Sequence, residues 1–452
     1  MVYWQSGVML NALLIAALLL GASLLLRLPG LRDASIPVSI LAGVLGLALG
    51  PDLSGVLPLD RGLLESAVYH GLAIVFIAVG LQSPPAGKRG AGATSMAFAI
   101  PIMGVTQGLI GLLVVLMIGG GLHPGFGLLT PYGFEEGPGQ ALSIGTAWEK
   151  FGLHDGAQIG LIIAALGFAW AIVVGIPLVA VGRRLGWVSG PTPRTSWREI
   201  EDEDEGARPS GTLDVLTAQV VAVGAVYLAT YLAMLGLNYA LKPLGDVAEM
   251  VWGFQFIVGA LLAIPARSVV VRLAPINPLD DQLLGRIAAV SVDVVTCAAL
   301  SAIAIGVFEA NWFALLLVTG LAGLATLAIS LWVQRRGFPQ EPFEHAVVLF
   351  GMSTGTLPTG LALLRILDPE MRGVVPTSCV LGSALAIVTS APLYLFVLLI
   401  PVQAWPDGYP DAAWITVGIL VAYLAILLGL WRWIGGLRFR RPLASPWPPG
   451  EA

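Results

Sequence analysis

The chain has 452 residues, of which 57% are hydrophobic and only 11% charged, with a mean hydropathy of +0.86. A water-soluble surface needs about 25% charged residues, so an ordinary soluble domain is excluded and most of this surface must face lipid. The net charge of -5 is small and scattered, which argues against a nucleic-acid partner, and Cys297 and Cys379 sit in apolar runs as packing residues.

About 20 apolar residues cross the hydrocarbon core as helix. That window predicts spans near 7–26, 36–50, 62–81, 95–119 and 158–182 in the first half. The opening MVYWQSGVML lacks a basic n-region, so its apolar run is read as a spanning helix. Glu65 and His70 fall in the third span, Glu65 near a hydrated end and His70 as a packing residue or a proton relay. Gln107 in the fourth reads as helix-to-helix glue. Residues 120–157 are glycine-rich, too long for a turn and too apolar to stay in water. Within them lies Gly133-Phe134-Glu135-Glu136-Gly137-Pro138-Gly139-Gln140-Ala141-Leu142-Ser143.

Residues 183–212 are proline-rich, with six acids packed into 199–205, and predict an aqueous linker. The second half predicts spans near 213–239, 249–264, 283–306, 310–334 and 374–401, and a last one at 412–435. Gln255 in the second of these is read like Gln107. Asp293 lies mid-span in RIAAVSVDVVTCAAL, where an ionised carboxylate costs at least about 2.5–3.5 kcal/mol. It is a candidate sodium ligand or proton carrier, or a partner in a helix–helix hydrogen bond. A second glycine-rich stretch, 335–373, contains Gly351-Met352-Ser353-Thr354-Gly355-Thr356-Leu357-Pro358-Thr359-Gly360. Tryptophans near span ends, such as Trp187 and Trp431, read as interface anchors.

The halves share a layout of five spans with a broken stretch before the fifth, and corresponding spans start 206–221 residues apart. Five is odd, so the second copy enters the membrane from the opposite side, the inverted repeat of many secondary transporters. The expected fold is an all-α polytopic membrane protein. Residues 1–182 form the first repeat, 183–212 the cytoplasmic acidic linker, 213–401 the second repeat, and 402–452 an eleventh helix with a basic tail. With the N-terminus outside and the C-terminus inside, 20 of the 23 basic residues fall on the cytoplasmic side, leaving only Arg61, Lys150 and Lys242 outside.

That topology places 120–157 outside and 335–373 inside, and both read as re-entrant hairpins. Irregular backbone at membrane depth is tolerated only where protein or a water-filled cavity covers it, so the tips are expected to meet near the midplane. Glycine and proline free amides and carbonyls there. Freed carbonyls with Ser353, Thr354 and Thr356 hydroxyls suit a hard cation such as sodium, and helix N-termini suit a carboxylate.

The stretch FGMSTGTLPTGLALLRILDPE resembles the second signature of the bacterial sodium/glutamate symporters, a Gly-Thr-rich tip followed by a Gly-Leu-Ala-Leu-Leu-Arg helix and Asp-Pro. GFEEGPGQALSIG occupies the place of that family's first signature, usually Gly-Gly-His-Gly-Thr. Pro138 and Gln140 stand where the family has His and Thr, and Glu135 and Glu136 precede them. The resemblance implies sodium-coupled uptake of glutamate or a related anion by an elevator movement. It also implies a homodimeric scaffold in a bacterial inner membrane. It puts tip roles on Gly137, Gly139, Gln140, Gly351, Thr354, Gly355, Thr356 and Thr359. Ser143 follows the first tip as a further substrate candidate, and Arg365 is read as a carboxylate clamp or a positive-inside anchor.

The sequence lacks a G-x-x-x-x-G-K-[ST] loop, an HExxH pair and a Gly-x-Ser-x-Gly elbow. Neither ATP-driven transport nor an enzyme is expected, and no cofactor beyond the coupling ion. Proton coupling through Asp293 or Glu135/Glu136 is the alternative.

Overall fold

A computed structural model describes residues 7–28, 36–83, 90–119, 121–189, 214–244, 248, 251–273, 277–369, 371, 373–434 and 436–438. The acidic part of the linker and the basic tail from 439 lie outside the described residues. Among those described, sixteen α-helices and no strand occur. The first half holds α1 (Val8–Leu25), α2 (Val38–Leu49), α3 (Arg61–Gly80), α4 (Ala91–Ile118), α5 (Gly125–Leu128), α6 (Pro138–Trp148), α7 (Gly156–Val173) and α8 (Gly175–Arg184). The second holds α9 (Val215–Leu241), α10 (Gln255–Leu273), α11 (Asp281–Ser301), α12 (Ile305–Gly337), α13 (Pro342–Leu367), α14 (Val375–Leu395), α15 (Ile400–Gln403) and α16 (Tyr409–Trp433).

Eleven of the described helices are long and apolar enough to cross a membrane, α7 and α8 counting as one. The protein is a multi-pass membrane protein. The set differs from the predicted one at two places. α2 has 12 residues, too few for a full crossing, whereas α13 enters on length and composition despite its break. Helix starts are fixed where an Asp caps orphan amides: Asp60 accepts from Leu63 N at 2.9 Å, Asp214 from Leu216 N at 3.1 Å and Asp280 from Gln282 N at 2.9 Å.

The helices form two groups. In one, α3 packs on α10 and α11 while α2 packs on α11, around Ile77, Ala78, Val223, Ala263 and Leu284. In the other, α4 is central, touching α12, α14 and α16, and α13 lies against α7 and α12. α16 belongs to this second group because of Trp431. That residue is fully buried, not an interface anchor: its Nε1 donates to Ser95 Oγ at 3.3 Å, and its ring stacks on Phe98 against Gly337.

Candidate functional site

Each half carries one helix that breaks and doubles back. In the first, α5 leads into a π-helical turn, Tyr132–Glu136, that ends at Gly137. Gly137 has φ 96° and ψ -179°, a conformation that only glycine adopts without strain. Pro138 then starts α6, where its missing N–H costs nothing. Fourteen residues to either side of Gly137, the ends are clasped: His123 Nε2 donates to the Phe151 carbonyl at 3.2 Å. The His123 Nδ1 accepts from Gly125 N at 3.0 Å, so the ring is neutral, and burial pushes it down to about 4. Both arms are wedged by small residues. A Cβ on Gly127 would lie 2.1 Å from the Gly111 carbonyl of α4, and one on Gly145 2.1 Å from the Gly156 carbonyl of α7. Such close backbone approach is how helices associate where lipid removes the hydrophobic drive.

The second break lies inside α13, at Gly355 (φ -156°) and Thr356 (φ 74°, ψ 163°). A straight helix would hold Gly351 and Gly360 about 13 Å apart. Instead a Cβ on Gly351 would sit 2.8 Å from the Gly360 Cα, so arms 342–354 and 357–367 lie side by side. At the base, Glu341 Oε2 accepts from Val374 N at 3.0 Å. Thr356 holds a backbone conformation costing of order 1–3 kcal/mol for a β-branched residue, a strain found where function requires it.

The two breaks meet. A Cβ on Gly137 would lie 2.6 Å from Thr356 Cγ2, and Gly167 of α7 lets the Thr354 carbonyl and the Phe134 ring approach just behind. Two helix N-termini, those of α6 and of the second α13 arm, therefore begin where two first arms end. Orphan N–H groups and orphan carbonyls share one small region, with partial positive and partial negative charge respectively.

The side chains differ between the tips. On the first, Glu135 is 8% exposed, and its Oε2 accepts from Tyr394 Oη at 2.7 Å while Oε1 has no partner. Gly104 makes room for it, since a Cβ there would be 2.7 Å from Oε2. Tyr132 Oη in turn donates to the Tyr394 carbonyl. Glu136 is half-buried and accepts from Gln140 Nε2 at 3.4 Å. On the second tip there is no charge. Ser353 is buried with an unpartnered Oγ, and its carbonyl accepts from Gln107 Nε2 at 2.7 Å. The same Gln107 amide donates to Thr326 Oγ1 at 3.0 Å. Thr354 Oγ1 donates to the Phe350 carbonyl at 2.8 Å, and Thr359 is buried in the second arm.

Gly137, Gln140, Ser353, Thr354, Gly355, Thr356 and Thr359 thus gather at or beside the tips. Gly139 packs on Leu72 of α3, and Gly351 on the opposite arm, so both serve close packing. Ser143 is buried on α6 with an unpartnered Oγ, six residues past the break. Arg365 is exposed nine residues beyond Thr356, about 13 Å along the arm. Asp293 is exposed on α11, in a strip with Arg286, Ala289 and Val290, and stands outside the buried group. Gln255 donates to the Tyr69 carbonyl at 3.0 Å and His70 pairs with Tyr227, both as helix-to-helix contacts.

Three residues escaped the sequence reading. Tyr394 was masked by its apolar run, and Gly104 is one glycine among 56. Gln158 ties the two helix groups: its Nε2 donates to Glu65 Oε1 at 2.6 Å, and its Oε1 accepts from Ala304 N at 2.7 Å. A polar side chain at a span start was the available signal for it.

No family model and no curated protein sequence matches the chain.

Proposed function

We propose that the protein is a secondary active transporter that couples movement of a small carboxylate, such as glutamate or a related anion, to a cation, with sodium as the first choice. The observation that carries this reading is the meeting of two broken helices, whose N-termini suit a carboxylate while their freed carbonyls and hydroxyls suit a hard cation. Inverted repeats are supported by mirrored packing. α2 rests on α11 as α10 rests on α3, and α5 rests on α4 as α13 rests on α12. With that symmetry the two broken segments are re-entrant hairpins from opposite faces. The group of α1–α3 and α9–α11 supplies a scaffold, and the group around α4 carries the tips in an elevator movement. A homodimer in a bacterial plasma membrane follows from the resemblance to the sodium/glutamate symporters.

A second reading, protons as the driving ion, is favoured by one observation. Glu135 is the carboxylate sealed beside the tips, with one oxygen unpartnered, whereas Asp293 is exposed. Uptake into proteoliposomes under an imposed sodium or pH gradient tests both. Accumulation above the bath concentration under either gradient supports transport and names the ion. Equilibration without accumulation under both contradicts it.

A further inference from the structure

Along α6 the two helix groups meet through small and apolar residues. Gly139 packs on Leu72 of α3, and a Cβ on Gly253, just ahead of α10, would lie 2.8 Å from Ala147 Cβ. Contact of this kind has no directional bond to break when packed helices slide. At the end where α3, α7 and α12 begin, the contact is polar. Residues 302–304 carry the chain from α11 of one group to α12 of the other, and all three are buried. Gln158, at the start of α7 and 7% exposed, brackets them. Its Nε2 donates to the Ala302 carbonyl at 3.2 Å, and its Oε1 accepts from Ala304 N at 2.7 Å. The other Nε2 hydrogen goes to Glu65 Oε1 of α3 at 2.6 Å, so both N–H bonds of the amide are used. Beside it, α12 starts without a side-chain cap from its own first residue. The Ile305 amide donates instead to Asp52 Oδ2, between α2 and α3, at 3.1 Å, and Arg61 holds that carboxylate at 2.7 Å.

These bonds fit one relative position of the groups. A hydrogen bond is gone by about 3.6 Å, whereas a slide of one helical turn is about 5.4 Å. We infer that Gln158 is a positioning residue for the movement of one group against the other. With Glu65, and with Asp52 on α12, it latches the group around α4 at one end of its travel. The same amide stiffens residues 302–304, the connection that has to act as the hinge. Release of the latch is then a step of every transport cycle, and the ligand does not touch it. The inference rests on the elevator reading above.

Cys297 and Cys379 are buried, so spin labels attach selectively to Lys242→Cys, just past α9, and Arg184→Cys, at the end of α8. Both positions are exposed and belong to different groups, and electron–electron double resonance reads the distance between them. The otherwise wild-type protein should give one main distance. Glu65→Leu leaves the bracket on residues 302–304 in place. It should raise the population of a second distance about tenfold or more, the loss of one charge-assisted hydrogen bond. Gln158→Glu sets two carboxylates against each other and should raise it further. Adding Glu65→Gln to that variant exchanges donor and acceptor and should return the ratio towards wild type, which repair of a mere packing defect would not do. A second distance equally populated in all four proteins, or an exchange that restores nothing, overturns the latch and leaves the movement standing. A single distance in all four overturns the latch and the movement together.

Discussion

The two broken segments share a shape and divide the chemistry between them. The first breaks at a glycine, is wedged between α4 and α7 by glycine pairs, and carries Glu135 and Glu136 at its end. The second breaks at a strained threonine, is uncharged at its tip, and offers hydroxyls and carbonyls. The contrast teaches that two segments of similar shape need not carry similar chemistry. One tip carries two carboxyl groups, and the other carries only neutral hydroxyls and carbonyls. Strain is unequal as well: Thr356 holds a positive φ that a β-branched residue disfavours, and Gly137 holds one that glycine adopts freely.

The largest expected effect comes from forcing the tips apart. Gly137→Val adds both a clash with Thr356 Cγ2 and an unfavourable positive φ. Ligand-induced stabilisation and uptake are expected to fall by more than about a hundredfold, the consequence of roughly 3 kcal/mol or more of strain. Circular dichroism should still report a helical protein. Next, Glu135→Gln removes the charge and keeps the shape. Gradient-driven accumulation should disappear while substrate exchange across the membrane stays within about tenfold, a loss of no more than one hydrogen bond's worth of binding. Retained accumulation would place the coupling on the second tip and reverse the comparison.

Much of this organisation is legible in the sequence, for a local reason. Spans follow from runs of apolar residues, and the breaks from glycine, proline and threonine crowded where a helix would otherwise run. The contact between the two breaks agrees with the expectation that the tips meet. What failed to be legible depends on which way a helix faces, and neighbours decide that. Asp293 and Arg365 drew attention by charge in an apolar setting, yet both point outward. Tyr394 and Trp431 lie in apolar runs and point inward, one against Glu135 and the other against Ser95. α2 falls short of a crossing because Gly50 and Pro51 stop it.

Smaller effects sharpen the comparison. Tyr394→Phe deletes a side-chain donor to Glu135 and should weaken the apparent affinity for the coupling ion by about tenfold to a hundredfold, or move its pH dependence by about one to two pH units, as loss of a charge-assisted bond of about 1.5–3 kcal/mol predicts. On the second tip, Ser353→Ala should weaken ligand binding more than Thr354→Val, because Ser353 Oγ is unpartnered while Thr354 Oγ1 is already bonded to Phe350. The smallest effect on transport is at the base of the first segment. His123 titrates near 4 in the folded protein and near 6.5 unfolded, so its neutral form stabilises the fold fully above about pH 6.5. That contribution is lost as pH falls from about 6.5 to 4, and hydrogen exchange at 121–128 and 149–153 should rise over the same window. His123→Phe should remove this pH dependence.

The most direct test of the tip-to-tip site is thermal stabilisation of the purified protein. It should be measured across acidic amino acids and short dicarboxylates, with and without sodium and at two pH values, in wild type and in Gly137→Val. At least one carboxylate should raise the wild-type midpoint in a cation-dependent way, about 1 °C for each kcal/mol of linked binding, and none should act on the variant. An absence of any cation-dependent shift in the wild type, or an undiminished shift in Gly137→Val, would contradict the account.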